Sequence, residues 1–564
     1  MELSWFRNKS SELKDIINSY KPACIALQET YIRNNDTVKI RDYSIFSNTT
    51  SSTRASGGVA LAVASDIPSS CLHVNTNLQA VAVRMHIKSL ITICSLYLPP
   101  HQTVHQTELN NLISQLPSPF LILGDLSGHS PLWGGTETNS LCRQIEQLVA
   151  DHNICLLNNN EKTHFHLPTR TFHSIDLALC TAALSPFLNL TVDDNLHNSD
   201  HFPLIITDNR HNSANHYYSP KYVYNAADWQ KFSSLADITS AIIDNRTVDE
   251  ALENIISIIK TAADASIPLA KGTRRQYKPW WNDLCQQAYK AQQKAWNIFR
   301  RYPTTANLIK FKKSKADSRR IQRQSQRLSW RKYISTITSS TSSKELWQKV
   351  KACGNVPSHS ISTLTHNDQT ISSPKETADT IASSLAQISS SRNYPDHFLA
   401  HKLKEEKTKL NFNTQSDLPY NNSFTLLEFQ SCLSTVSNSA SGPDNIGYIL
   451  IKHLTIESQT NILRLYNRIW QEQTFPILWH QAIIIPILKS GKDATNPFNY
   501  RPTALTCCLC KLLERLVNRL VHYLETNNII HPHQSGFRKG RCTLDNLLSL
   551  ETDIRLGFLQ KKHL

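Results

Sequence analysis

The chain has 564 residues, 40% of them hydrophobic, enough for several buried cores, and its 13 cysteines show no regular spacing, which fits reduced thiols in an intracellular protein rather than a disulfide framework. No run of about 18 apolar residues occurs, so no membrane-spanning helix is expected, and the opening Met1-Glu2-Leu3-Ser4-Trp5-Phe6-Arg7 has an early acid and no apolar stretch, unlike a signal peptide. Lys+Arg 60 against Asp+Glu 45 gives a net charge of +15, and the excess is concentrated: Lys271 to Tyr333 holds 18 Lys/Arg and two acids, a local net of +16. Such density is the footprint of a phosphate-backbone binder, set against the plainer reading of a solvated helical face.

Residues 1–207 read as α/β. Leu13, Ile16, Ile17 and Tyr20 recur at helical spacing after Ser10 and Ser11, which can cap, and Pro22 stops that helix. Ala23 to Leu27 is a short apolar run that delivers Gln28-Glu29-Thr30. Gly57-Gly58 precedes a second strand, Val59 to Val63. Val81, Val83, Met85 and Ile87 alternate as a half-buried strand does. Ile91 to Leu98 is closed by Pro99-Pro100, and Phe120 to Leu123 is stopped by Gly124-Asp125. Strands ending on Glu, Tyr and Asp gather polar groups at one rim of a sheet, where sites form.

From 208 to 420 long helical patterns rich in Gln, Lys, Arg and Ser appear, with Trp280, Trp281, Trp296 and Trp330 interleaved. Tyr289, Trp296 and Phe299 fall at helical spacing and read as a packing stripe rather than a base-stacking platform. Ser335 to Ser343 is a Ser/Thr-rich break, and Asn355 to Lys375 reads as irregular. Helices resume from Phe424, followed by a strand-like run, Ala482 to Leu488. Cys507, Cys508 and Cys510 lack a fourth zinc ligand and sit on a helical run with Leu512, Leu513, Leu516 and Leu520, so they read as core cysteines.

Cleaving a phosphodiester at neutral pH takes a divalent cation, a carboxylate that aligns and deprotonates water, a histidine oriented by a second carboxylate, and donors for the phosphate oxygens. Residues 1–207 offer most of that set, with Glu29, Tyr97 and Asp125 at strand ends and His201 further along. Singly, each has a plainer reading: a surface charge, a wedge at a turn, a turn residue or a structural histidine. The ordered boxes Gln28-Glu29-Thr30, Gly57-Gly58-Val59-Ala60, Tyr97-Leu98-Pro99-Pro100, Gly124-Asp125, Ser174-Ile175-Asp176 and Ser199-Asp200-His201-Phe202-Pro203 resemble the endonuclease/exonuclease/phosphatase superfamily, and His129-Ser130-Pro131-Leu132-Trp133-Gly134 resembles its non-LTR retrotransposon, jockey-like branch.

The resemblance covers nearly all of residues 1–207. It implies a four-layer β-sandwich flanked by helices and DNA nicking with Mg2+, Mn2+ being an alternative. Glu29 would bind the metal and Asp200 would sit beside it. Tyr97 would donate to a phosphate oxygen, Asp125 would position water, and His201, fixed by Asp176, would face the phosphate. Ser174 and Ser199 are weaker candidates for phosphate contacts. Two departures imply an impaired site. Ser127 stands where the family has an asparagine, and the strand that opens the family fold, ending in Trp-Asn, would precede Met1.

Past Phe424 the boxes Ser439 to Ile446, Ile484 to Asp493, Asn499 to Leu505 and Gln534 to Arg541 resemble the front of a non-LTR reverse transcriptase, a partial α+β fingers region spanning 421–564 after a mainly helical, basic 208–420. Gly442-Pro443-Asp444 reads as a turn. Lys489, Lys492, Arg501, Arg538 and Arg541 are candidate cations for template or triphosphate. Polymerase chemistry needs paired carboxylates. Asp545, Glu551 and Asp553 sit on an apparent helix, and Asp193-Asp194 lies in the wrong order, so no polymerase activity is expected. The expected partners are target DNA and element RNA, with the protein acting in the nucleus or cytoplasm. The other readings are a non-catalytic nucleic-acid-binding remnant and, less favoured, a phosphatase or phosphodiesterase acting on small molecules.

Overall fold

Strand residues of alternating direction sort into two separate cores, and that sorting defines the layers of the first half of the chain. The computed structural model describes residues 4–32, 38, 40–48, 57–100, 103–135, 138–197, 199–210, 221–270, 278–339, 341, 343, 346–347, 363–366, 369–409 and 418–560. They divide into two units: Met1–Tyr217 with Thr273–Gln387 and Ser490–Asn499, and Tyr218–Gly272 with Ile388–Lys489 and Tyr500–Leu564.

In the first unit, helix α1 (Ser4–Tyr20) leads into β1 (Cys24–Gln28), β2 (Tyr43–Asn48) and β3 (Val59–Ala64), a three-stranded antiparallel sheet of order β1-β3-β2. α1 begins at Ser4 and runs through Ser10 and Ser11, so those serines do not start it. A second sheet of six strands has the order β4-β5-β6-β7-β11-β8, from β4 (Ser69–Leu72), β5 (Gln79–His86), β6 (Leu90–Tyr97), β7 (Phe120–Asp125), β8 (Ile154–Leu156) and β11 (Asp176–Thr181). In this sheet β6 and β7 run parallel and the other pairs antiparallel. Helix α2 (Gln106–Ser114) makes the parallel crossover, and α3 (Ser140–Asp151) follows β7. Two hairpins complete the layer set: β9 (His164–His166) with β10 (Thr171–His173), and β12 (Leu188–Val192) with β13 (Leu204–Asp208).

Ala80, Ala82, Cys94, Leu96, Ile122, Leu177 and Leu179 face α2 and α3, joining Leu109, Leu112, Ile145 and Leu148. The alternate positions Val81, Val83, Met85, Ile91, Ile93 and Leu121 pack with Leu61 and Val63 of the other sheet. β3 is buried at all six positions, and Ile17 of α1 joins its core. Helix, sheet, sheet and helices thus form the α/β sandwich expected from the sequence.

The basic segment forms an antiparallel pair of helices in the same unit, Asp283–Arg301 and Thr305–Ser335, with Asn282 and Thr304 as N-caps. Trp296 and Phe299 are buried, which makes the aromatic stripe a packing stripe. The stretch read as irregular contains a two-stranded ladder, Leu364–His366 with Gln369–Ile371, and a helix from Pro374; residues 355–362 lie outside those described.

The second unit packs the helices Val248–Ser266, Leu426–Thr435, Ile456–Glu472 and Cys508–Thr526 around one core. Cys507, Cys508 and Cys510 are buried in it, as core cysteines. The Gly442-Pro443-Asp444 turn is closed by the Asn445 N–H donating to the Gly442 carbonyl at 3.0 Å, and a Cβ at Gly442 would stand 2.5 Å from the Cys507 nitrogen. Ser458 and Asn461 donate to the carbonyls of Ala236 and Ile238 at 2.9 and 2.7 Å, so residues 229–266 are built into this core. Ile483–Leu488 pairs with Tyr500–Leu505. No helix among the described residues is long and apolar enough to cross a membrane.

Gly124 is where the sheet tolerates no side chain: a Cβ would lie 1.7 Å from the carbonyl oxygen of Leu96 on the neighbouring strand. Both groups are backbone, so no rotamer change relieves the clash. Gly124→Ala should destabilise the first unit by about 3 kcal/mol or more, read as a lower urea midpoint for protease protection of peptides from residues 57–210. Gly536→Ala, with nothing within 4 Å of its Cβ, should stay within about 0.5 kcal/mol of the parent.

Candidate active site

The antiparallel register of β7 with β11 sets Asp125 directly opposite Asp176. Both are buried, 8% exposed each. Asp176 is fixed through its backbone: its N–H donates to Thr163 Oγ1 at 3.0 Å and its carbonyl accepts from Asn158 Nδ2 at 2.9 Å. His201 enters from the turn before β13. A β-bridge between His164 and His201 holds this turn, together with bonds from Phe165 N to the Asp200 carbonyl (2.8 Å) and from Phe202 N to the Thr163 carbonyl (2.7 Å). His201 Nδ1 then lies 2.9 and 3.0 Å from the two Asp176 oxygens, which leaves Nε2 as the nitrogen for a ligand.

Two loops in left-handed conformation bring the remaining polar groups. Glu29 has φ 50° and Ser127 φ 47°, a region that residues other than glycine adopt at a cost. The Glu29 turn is clamped by Gly57-Gly58, whose carbonyls accept from Tyr31 N (2.9 Å) and Thr30 N (3.1 Å). Gly58 has φ 92°, and a Cβ there would meet Thr30 Oγ1 at 2.9 Å, which gives the Gly-Gly box its structural reason. Tyr97 donates its phenol to Glu29 Oε1 at 2.8 Å. Ser127 donates to Asp125 Oδ1 from its N–H at 3.0 Å and from its hydroxyl at 3.3 Å, and Asn139 holds the Ser127 carbonyl at 2.9 Å.

The charges of these groups act on one another. Burial, and then the negative charge of Asp176, push the Asp125 carboxyl up to about 7, against the opposing pull of His201 and the Ser127 donors. Burial opposes protonation of His201, but Asp176, by charge and hydrogen bond, followed by Asp125 and Asp200, outweighs it and raises the imidazole to about 9. Burial, then the bond to Glu29, holds the Tyr97 phenol far above its ordinary range. Tyr31 is raised by burial and then by the charges of Glu29 and Asp200. His164 is lowered to about 4 by burial and then by the charge of His201.

Glu29, Tyr97, Asp125, Ser127, Asp176, Asp200 and His201 are therefore brought together. Ser199 lies at the edge, accepting from His201 N at 3.3 Å and bonding Asp200 Oδ1 at 3.4 Å. Ser174 is turned inward: it is 1% exposed and its hydroxyl donates to the Glu161 carbonyl at 2.6 Å, so it does not present that proton to a phosphate. Of the other candidate cations, Lys492, Arg501 and Arg541 are exposed and Lys489 is half-buried. Arg538 is committed to Glu525 at 2.7 and 2.5 Å and to the carbonyls of His531 and Gln534, where it staples a turn. Sequence reasoning missed Tyr31, Asn158, Thr163 and His164. His164-Phe165-His166-Leu167 alternates polar and apolar residues, a strand signal that could have flagged His164.

An oxygen-rich set around two facing carboxylates suits a hard divalent cation. Asp200 also joins His164 and His201 in a group whose candidate ligand atoms lie within 4.8 Å of one another.

Residues 91–205 match the family model described as endonuclease-reverse transcriptase. The chain is 24% identical to a probable RNA-directed DNA polymerase from transposon X-element of Drosophila melanogaster, covering 98% of this chain and 62% of the relative. It is 22% identical to the RNA-directed DNA polymerase from mobile element jockey of the same organism, covering 95% and 59%. The chain thus spans about three fifths of the length of these curated relatives. A solved structure, the endonuclease domain of TRAS1, a telomere-specific non-LTR retrotransposon, aligns at 22% identity with a TM-score of 0.31, covering 36% of this chain and 91% of that one. Residues 91–205 are thus similar to the endonuclease-reverse transcriptase family, and the chain is similar along nearly its whole length to RNA-directed DNA polymerases of transposons.

Proposed function

We propose that residues 1–207 act as a divalent-metal-dependent endonuclease that nicks DNA, and that residues 421–564 are the front of a polymerase domain that works with element RNA. The observation that carries the nuclease reading is the facing pair Asp125 and Asp176 with His201 held against the second of them. Asp125 would orient a water molecule and take its proton through Oδ2, since both Ser127 donors go to Oδ1. His201, keeping its proton, places Nε2 to stabilise charge gathering on the phosphorus oxygens. Tyr97 adds a phenol donor beside Glu29. Glu29 and Asp200 would hold Mg2+, or Mn2+ in its place, and the ion would neutralise the phosphate and stabilise the leaving oxygen. Asp545, Glu551 and Asp553 lie on the helix Thr543–Leu559 rather than at a strand end, and are not assigned polymerase chemistry.

Ser127 is the weak point. Its left-handed backbone, φ 47°, is a conformation that asparagine adopts more readily than serine. Its hydroxyl is spent on Asp125 rather than reaching outward. This favours a slow enzyme over an unimpaired one. Nicking of supercoiled plasmid by the full chain should need Mg2+ or Mn2+, stop in chelator, and disappear in His201→Ala. Ser127→Asn should raise the rate by about 10²–10³ with a slightly higher unfolding midpoint. A rate unchanged by Ser127→Asn would sink the impairment idea.

The same geometry sets the pH profile. Asp125 must be ionised, so activity is lost as pH falls through its raised value near 7. His201 must be protonated, so activity is lost as pH rises through about 9. The expected profile is a bell with its plateau between those values. Asp176→Asn removes the chief charge holding the proton on His201, so the alkaline limb should move toward neutrality. An alkaline limb that stays in place would show that another group controls it.

A further inference from the structure

We propose that the basic helix Thr305–Ser335 is a working wall of the nuclease: Lys312, Lys315 and Arg319 grip the backbone of duplex DNA beside the phosphate being cut. This deepens the nuclease reading above and rests on it for the identity of the substrate.

The helix pair is fastened to the turn that carries His201. Phe165 and Phe202, which flank the His164–His201 bridge, are buried against Trp296, Phe299 and Phe311, with ring centroids 5.5 Å (Phe165–Trp296), 5.7 Å (Phe165–Phe299) and 6.2 Å (Phe202–Trp296) apart. Polar ties surround that aromatic knot. Arg300 pairs with Asp194 at 2.5 Å, Asn195 donates to the Tyr289 hydroxyl at 2.7 Å, and Trp296 Nε1 donates to the Asp194 carbonyl at 3.4 Å. Arg170, at the tip of the β9–β10 hairpin, donates to Thr305 Oγ1 at 3.1 Å, where the basic helix begins. The turn bearing Asp200 and His201 is thus braced from behind by these helices.

Between the hairpin and the helix lies a cleft of about 440 Å³. Ser199, Asp200 and His164 line its site end, and Lys312, Lys315 and Arg319 line its helix wall. The three cations are spaced i, i+3 and i+7, which at about 100° per residue puts them on one face, next to the seam where Leu308, Phe311 and Ser318 are buried. The helix carries ten Lys/Arg and one acid from 305 to 335, so its cations outnumber any role in packing. Asp200, the residue before His201, lines the site end of this cleft, so a duplex held with one phosphate at the site would lay a neighbouring phosphate along the helix wall.

The test uses the full chain in EDTA, with fluorescence anisotropy on a random-sequence DNA duplex over a range of salt. Lys312→Ala, Lys315→Ala and Arg319→Ala combined should weaken binding and flatten the plot of log affinity against log salt by about three, near one per lost phosphate contact. Lys310→Ala, Lys313→Ala and Arg320→Ala combined remove the same charge from another face of the helix and should leave the slope near that of the parent. Lys312→Arg, Lys315→Arg and Arg319→Lys combined should restore it. Equal flattening by both alanine triples would overturn the proposal, as would a loss confined to single-stranded RNA with duplex DNA unaffected. Because binding is read without cleavage, the two ideas fail separately. A chain that never nicks but loses slope only in the cleft triple refutes the nuclease reading and keeps the wall. A chain that nicks while the cleft triple binds as the parent does refutes the wall alone.

Discussion

Two carboxylates that share a buried strand register cannot both stay ionised without compensation, and the first unit is arranged around that constraint. The β7–β11 ladder fixes Asp125 opposite Asp176 whatever their charge, because the register is set by apolar pairs further along: Leu177 with Gly124, Ala178 with Leu123 and Leu179 with Ile122. Burial and mutual repulsion then raise Asp125. The protein answers with an imidazole on the Asp176 side and with Ser127 donors on the Asp125 side.

Strain is stored next to this pair. Glu29 and Ser127 both occupy left-handed backbone, and each is held by neighbours that leave little freedom: the Gly57-Gly58 carbonyls for the turn at Glu29, and Asn139 for the carbonyl of Ser127. Residues in such conformations persist where the surroundings over-determine them. The Asn139 side chain has two tasks, receiving the Cys142 N–H as the cap of α3 and donating to Ser127. A helix cap is thus tied to the loop whose Ser127 N–H bonds the Asp125 carboxylate.

Much of this was legible in the sequence, for definite reasons. β1, β3, β6 and β7 are short apolar runs stopped by polar residues, and apolar composition marks them even without periodicity. Glu29 just past β1, and Tyr97 and Asp125 at the ends of β6 and β7, could therefore be placed at one rim from the sequence. His201 and Asp176 were joined only through the resemblance, because 25 residues of separation say nothing about contact. The hairpin of β9 and β10 was invisible. Each strand is three residues long, and its stabilising partners Trp296 and Phe299 lie more than 120 residues later. Ser174 was a candidate by its place in a box, but its hydroxyl is taken by the Glu161 carbonyl. Arg538 was a candidate by charge, and charge alone could not reveal Glu525 as its partner.

The acidic pair Asp193-Asp194 shows how far a motif's meaning depends on tertiary context. As a sequence it invites comparison with polymerase carboxylates, and order along the chain argues against that. In the fold the two residues divide the work of fastening a loop. Asp193 receives the Tyr20 phenol at 2.8 Å and lies 3.2 Å from the His197 imidazole, while Asp194 faces Arg300 of the basic helix pair. Exposed ion pairs contribute little singly, and Asp194 is largely exposed. The fastening strength therefore lies in the buried aromatic knot of Phe165, Phe202, Trp296 and Phe299, with the acids selecting the docking register. That division explains how the basic helices pack against the α/β sandwich: apolar rings supply the attraction, Asp194 and Asp15 pair with Arg300 and Lys278, and Lys312, Lys315 and Arg319 line the wall of a cleft.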